Sequence, residues 1–201
     1  ASTERSGLDD VFTSSVTDAM EILFDDDSVY DQRPTEIVKV KLKASRREDR
    51  EEEGGPIKDI EVEVTIGPSL IPHAGTGVIT NQFIPKDMCV EYIGRWVPIE
   101  NDPSCDVSGY RWTVFRWDET TGEVLPKRET AGFVDGVKES ESNWPRFVNC
   151  SSSEKAANIK QWQEFKKVFY GTNRDLQPGE ELLVWYGPAF ARVLGIPVDP
   201  P

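Results

Sequence analysis

Polar and apolar positions alternate most regularly in two short runs. In Glu36–Lys43 (EIVKVKLK), Val38, Val40 and Leu42 are interleaved with Lys39, Lys41 and Lys43. In Asp59–Ile66 (DIEVEVTI), Ile60, Val62, Val64 and Ile66 are interleaved with Glu61 and Glu63. A period of two marks a strand with one face in a core. Between them ASRREDREEEGG is strongly charged and ends at a glycine pair, the pattern of a surface loop. The two runs are therefore expected to pair as an antiparallel hairpin, with lysines opposite glutamates on the outer face.

After Pro68 the pattern becomes one of short strands and turns. Three glycines fall in GPSLIPHAGTGVIT, Pro85-Lys86-Asp87 forms a turn, and MCVEYIG follows as a strand. GYRWTVFRWD alternates aromatic and basic residues, ETTG reads as a hairpin turn, and a short FVDG element follows. Segments this brief, punctuated by Gly and Pro, predict a mostly β domain of small sheets. NIKQWQEFKKVFY fits two patterns. Trp162, Phe165 and Phe169 are spaced by three and four, as on a helix face, while KKVFYGT reads as a strand. At the other end of the chain, FTSSVTDAMEILFDDDS has the pattern of a short helix with Met20, Leu23 and Phe24 on its apolar side, or of an arm that orders on a partner.

The charge narrows the function classes. A net charge of -13 suits a basic partner such as a lysine-rich peptide and argues against a nucleic-acid backbone, even for the aromatic-basic strand RWTVFRW. Arg111 and Arg116 are expected to rim a sheet. Three cysteines and one histidine, widely scattered, do not form a structural zinc pattern, and a sparse odd cysteine set fits a reducing compartment. No apolar run is long enough to span a membrane, and the first twenty residues lack a signal-peptide pattern. His73 has no nucleophile-elbow serine to accompany it, which leaves hydrolase chemistry without support.

Two features remain. Gly75-Thr76-Gly77 is either a tight turn or a place where backbone approaches a ligand. Tyr92, Tyr170 and Tyr186 each end a strand-like run. Separately each is an ordinary core tyrosine; converging, they form an aromatic channel with inward oxygens, suited to a lysine stem and amine.

The wording GTGVITNQFIPKDMCVEYIGRWV, FVDG, SNWPRFVNC, KKVFYGT and LQPGEELLVWYG, in this order, resembles the SET fold of protein lysine methyltransferases, and more narrowly the PR domain of the PR-domain zinc-finger proteins. The resemblance covers roughly residues 60 to 197. It implies small curved β-sheets, a knotted C-terminal core and short helices, with strand rather than helix for KKVFY. The organisation it suggests is an acidic arm over 1–58, a methyltransferase domain over 59–197 and a tail over 198–201. It implies methyl transfer from S-adenosylmethionine to a lysine of a histone tail in the nucleus, with lysine 4 of histone three favoured. The alternative within the family is an interaction module with little catalysis, which recruits chromatin or transcription partners.

Carried over by position, Tyr92, Tyr170 and Tyr186 would line the lysine channel, with Trp185 as a neighbouring wall. Gly75, Gly77, Asn149, Cys150 and Asn158 would hold the cofactor. The chain departs from the family where EEQNL is common and Ala156-Ala157 stand before Asn158. It also lacks the cysteine cluster that follows many SET domains, so FARVLGI is expected to supply a short closing helix.

Overall fold

The computed structural model describes residues 33–45, 58–101 and 109–193. The expected N-terminal helix, the loop over 46–57, Cys105 and the tail lie outside these residues.

The two alternating runs form the expected hairpin. Strand β1 (Glu36–Ala44) pairs antiparallel with β2 (Ile60–Pro68), placing Val40 opposite Val62 and Val38 opposite Val64. Lys39 faces Glu63 and Lys41 faces Glu61 in the same register. Val40, Leu42, Val62 and Val64 enter the core, so the polar partners are left on the outer face.

These strands belong to an eight-stranded sheet with β3 (Thr76–Thr80), β4 (Met88–Tyr92), β8 (Asn149–Cys150), β9 (Ile159–Glu164), β10 (Lys167–Thr172) and β11 (Leu183–Val184), in the order β3-β2-β1-β4-β10-β9-β11-β8. The sheet curls until it nearly closes. Thr80 N–H donates to Glu180 C=O at 2.9 Å and Leu182 N–H to Val78 C=O at 2.8 Å, joining β3 to the segment that leads into β11. Unlike its antiparallel neighbours, β11 runs parallel to both β8 and β9, lying between them. A second sheet of β5 (Arg95–Pro98), β6 (Arg111–Phe115) and β7 (Thr130–Asp135) has the order β5-β7-β6. Its Val114 and Val134 join the same core as Ile84, Val148, Val168 and Leu176. Three single 3-10 turns and one helix, α1 (Pro188–Val193), complete the described residues. The architecture is mostly β, with a nearly closed curved sheet, as in a SET domain.

The ambiguous segment is a hairpin. β9 and β10 pair with Trp162 opposite Phe169, and the two rings stack at 5.6 Å and 18°. The spacing that imitates a helix face arises because a tight turn intervenes, in which Phe165 takes φ +52 and is exposed. Its aromatic ring instead covers Gly122, where a Cβ would lie 2.6 Å from the ring.

Arg111 is not a rim residue. Its guanidinium makes a 2.8 Å ion pair with Asp135, and both side chains are largely buried. Arg116 does remain exposed, 3.6 Å from Glu129.

Candidate active site

Pairing of β4 with β10 decides where two of the tyrosines point. Tyr170 stands opposite Val90, and Tyr92 opposite Val168. Tyr92 and Tyr170 are thus diagonal neighbours on one face, and their rings lie 5.4 Å apart. That face looks into the molecule, leaving Tyr92 3% and Tyr170 2% exposed. Tyr186 arrives from the opposite direction, two residues beyond β11.

Each phenol is held. The Tyr92 hydroxyl donates to Tyr110 C=O at 2.8 Å. The Tyr186 hydroxyl donates to Val148 C=O at 3.0 Å, the carbonyl just before Asn149. Tyr170 Oη accepts from the Trp112 indole N–H at 2.8 Å and faces the Tyr186 hydroxyl. Trp112, from β6, lies edge-on to Tyr170 with centroids 5.8 Å apart and tilted against Tyr186 at 4.9 Å. Phe190 of α1 meets Tyr186 edge-on at 4.9 Å, so the expected C-terminal helix does reach this cluster. Arg146 supports the Tyr92 side, donating to Gly136 C=O at 2.8 Å with its guanidinium over the Tyr110 ring.

Burial sets the electrostatics. It pushes the phenols of Tyr92, Tyr170 and Tyr186 far above their ordinary range, because a phenolate would lose its hydration. Neighbouring phenols raise Tyr92 and Tyr170 further. All three are neutral hydrogen-bonding groups at physiological pH. Burial likewise raises the thiol of Cys150.

A second cluster surrounds the glycine turn. Gly75 has φ +67, a region that favours glycine, and its C=O accepts from Ser69 N–H at 2.8 Å. The Asn149 side-chain amide donates to Thr76 C=O at 2.9 Å and to Glu181 Oε1 at 3.1 Å. Glu181 is buried and also accepts from the Ser69 hydroxyl and the Leu70 N–H, each at 2.7 Å. A Cβ on Gly77 would lie 2.4 Å from Glu181 Oε1, so glycine there makes room for the carboxylate. Cys150 lies in β8 beside this cluster and is buried. Asn158 is engaged elsewhere: its amide donates to Glu181 C=O at 2.8 Å and its oxygen accepts from Leu183 N–H at 2.7 Å. Both ends of its side chain therefore clamp backbone around β11.

The structure thus unites Tyr92, Tyr170 and Tyr186, and separately Gly75, Gly77 and Asn149. Sequence reasoning missed Trp112 and Glu181. The period-two pattern of RWTVF does place Trp112 on the face of Val114, which is buried in the core. Nothing in the acidic pair before Leu182 distinguishes buried Glu181 from Glu180.

Residues 64–197 match the model of the PR domain of PR domain zinc finger protein 2. The chain belongs to the PR-domain family. With it comes membership of the SET-related superfamily of protein lysine methyltransferases. This PR domain is 38% identical over 133 residues to human histone-lysine N-methyltransferase PRDM7, covering 65% of this chain and 24% of the relative. It is 32% identical over 126 residues to histone-lysine N-methyltransferase set-17 of Caenorhabditis elegans, covering 62% and 41%. Mouse PR domain zinc finger protein 14 is 31% identical over 130 residues, covering 64% and 21%. The chain therefore spans about a fifth to two fifths of the length of these relatives. Among solved structures, the methyltransferase domain of human PR domain-containing protein 2 is similar over 78% of this chain and 93% of that one, at 24% identity and a TM-score of 0.49.

Proposed function

We propose that this PR domain transfers a methyl group from S-adenosylmethionine to the side-chain amine of a lysine in a histone tail, as a nuclear regulator of chromatin. The observation that carries the reading is the convergence of three neutral tyrosines, Tyr92 and Tyr170 buried and Tyr186 partly buried, two of whose hydroxyl protons are committed to backbone carbonyls. Two relatives named as histone-lysine N-methyltransferases support the substrate class. Lysine 4 of histone three is the first target to test.

The residues around the glycine turn fit the cofactor. Asn149 Oδ1 meets no donor among the described residues, leaving an amide acceptor beside the Thr76–Gly77 backbone. Asn149 and the turn would hold the polar amino-acid end, with Cys150 backbone beside them. When bound, S-adenosylmethionine supplies an electrophilic methyl on a sulfonium.

The protein's contribution is alignment and dryness. A lysine ammonium has no lone pair and an ordinary pKa of about 10.4. Enclosure among aromatic rings next to a positive charge disfavours the ammonium, so its proton leaves to water before transfer. The tyrosines do not take that proton, since burial keeps them neutral. Their oxygens accept N–H bonds and hold the amine in line, where orientation contributes much of the rate. Occupied space around the amine also limits its rotation, and thereby the number of methyls added.

Calorimetry with S-adenosylmethionine, followed by mass spectrometry of histone-tail peptides, tests this reading. Methylation is expected on a lysine. Tyr170→Phe and Tyr186→Phe should each change both the rate and the mono-, di- and trimethyl distribution; unchanged values for both variants count against the channel. One observation favours a second reading. Ala157 is buried where PR domains often carry glutamine, while Ala156 is exposed. A domain weakened there would act by recruiting partners. Failure to bind the cofactor at high concentration would select that reading.

A further inference from the structure

We infer that Trp112 is a positioning residue of the tyrosine channel, one that fixes which way the Tyr170 hydroxyl presents its oxygen; this rests on the methyltransferase reading above. A phenol oxygen carries one proton and two lone pairs. The Trp112 indole N–H occupies one Tyr170 lone pair at 2.8 Å. The Tyr170 hydroxyl faces that of Tyr186, whose own proton is already committed to Val148 C=O. Of these two hydroxyls, only Tyr170 has a proton left to give. The series runs from Trp112 through Tyr170 and Tyr186 to the Val148 carbonyl. Tyr92 directs its proton to Tyr110 C=O.

All three phenol protons thus point into protein. The consequence is chemical. A neutral amine attacks through its single lone pair, and a phenol that donated into that lone pair would block attack. A phenol that offers only oxygen accepts an amine N–H instead and leaves the lone pair aimed at the methyl. In methyl transfer the amine nitrogen forms a bond to carbon, the sulfur–carbon bond breaks with its electrons to sulfur, and the amine's surplus proton leaves to water. A Tyr170 hydroxyl free to turn would compete for the nitrogen lone pair throughout.

The placement also uses the second sheet for something beyond packing. Trp112 is delivered by β6, and its ring contacts both Tyr170 and Tyr186, on β10 and just past β11. The indole therefore sets the spacing of two channel walls as well as the hydroxyl orientation. No other group among the described residues donates to Tyr170 Oη.

Trp112→Phe keeps an aromatic ring and removes the donor. With wild type, Tyr170→Phe and the double variant, it forms a cycle read by kcat, KM for a histone-tail peptide, cofactor affinity and methyl distribution. The expected result is a fall in kcat of about tenfold or more. Cofactor affinity should stay within about twofold, and Trp112→Phe should have little further effect in the Tyr170→Phe background. Wild-type kcat and methyl distribution in Trp112→Phe, or losses that add in full, would overturn the positioning role. An inactive wild type would overturn the methyltransferase reading and this role with it, so the two failures are told apart. The indole N–H resonance of Trp112 supplies a readout free of activity and of the folding of Trp112→Phe. It should move on Tyr170→Phe, and an unmoved resonance would equally overturn the role.

Discussion

Gly136 shows how a single absent methyl group shapes the site. A Cβ there would lie 2.4 Å from the Tyr92 hydroxyl, well inside contact distance. The Gly136 N–H and the Tyr92 hydroxyl both donate to Tyr110 C=O, so that one carbonyl ties the tyrosine to the chain after β7. Gly136→Ala must displace the phenol or the backbone. It is expected to cost about 1–3 kcal/mol in stability, the usual range for overpacking. It should also impair methyl transfer more than Val137→Ala, whose side chain is half exposed. Chemical denaturation and initial rates on the same two variants check both parts, and wild-type behaviour of Gly136→Ala would contradict the fit described. None of this was legible in the sequence. FVDG reads as a short element, but only the return of the chain from Arg111 to Asp135 puts its glycine against Tyr92. Asn158 illustrates the converse: position suggests a cofactor ligand, whereas the fold occupies both ends of its side chain with the backbone of 181 and 183.

Among the elements, the alternating strands were legible because their chemistry is local. Val40 and Val62 had to share a face, and lysine opposite glutamate followed from the same register. The β9–β10 segment was not decidable by periodicity, since Trp162 and Phe169 satisfy a helix spacing and a cross-strand stack equally well. The parallel insertion of β11 between β8 and β9 depends on contacts distant in sequence and leaves no periodic trace. Strand β1 raises a question about where the folding unit begins. The family match starts at residue 64, yet β1 precedes it and pairs with both β2 and β4. Its Val40 and Leu42 are each 4% exposed within the core that also buries Tyr92 and Tyr170. We propose that β1 is part of the domain. Leu42→Ala should cost about 2–5 kcal/mol, as for other buried leucines. A chain beginning at residue 59 should lose its near-ultraviolet circular dichroism and cofactor binding together. A truncated chain that stays folded with wild-type denaturation would show that β1 is an accessory.

At the scale of the whole molecule, the proposed channel sets neutral phenols inside an acidic protein. Under the proposed function, the net charge of -13 gives a basic peptide a favourable approach, while uncharged phenols align the amine. That division requires the tyrosines to stay protonated, and protonation links the channel to stability. Desolvation raises Tyr92, Tyr170 and Tyr186 in the folded state above the value of about 10 expected in an unfolded chain. Above that pH the unfolded chain releases phenol protons that the native state retains. The native state then binds more protons, and stability falls as pH rises. Their contribution is complete below about pH 10 and is lost on the alkaline side, toward the folded-state values. The urea midpoint should therefore change little between about pH 7 and 8, begin to fall above about 8.5 as the buried thiols of Cys89 and Cys150 come into play, and drop further beyond about 10. Of the five tyrosines, these three should form phenolate only as near-ultraviolet dichroism disappears, which simultaneous absorbance and dichroism titrations can resolve. Replacing Tyr170 by Phe should remove one late-ionising group from that titration. If the three instead ionise reversibly near pH 10 in folded protein, the channel is open to water. Neutral phenols would then no longer explain how the amine is held.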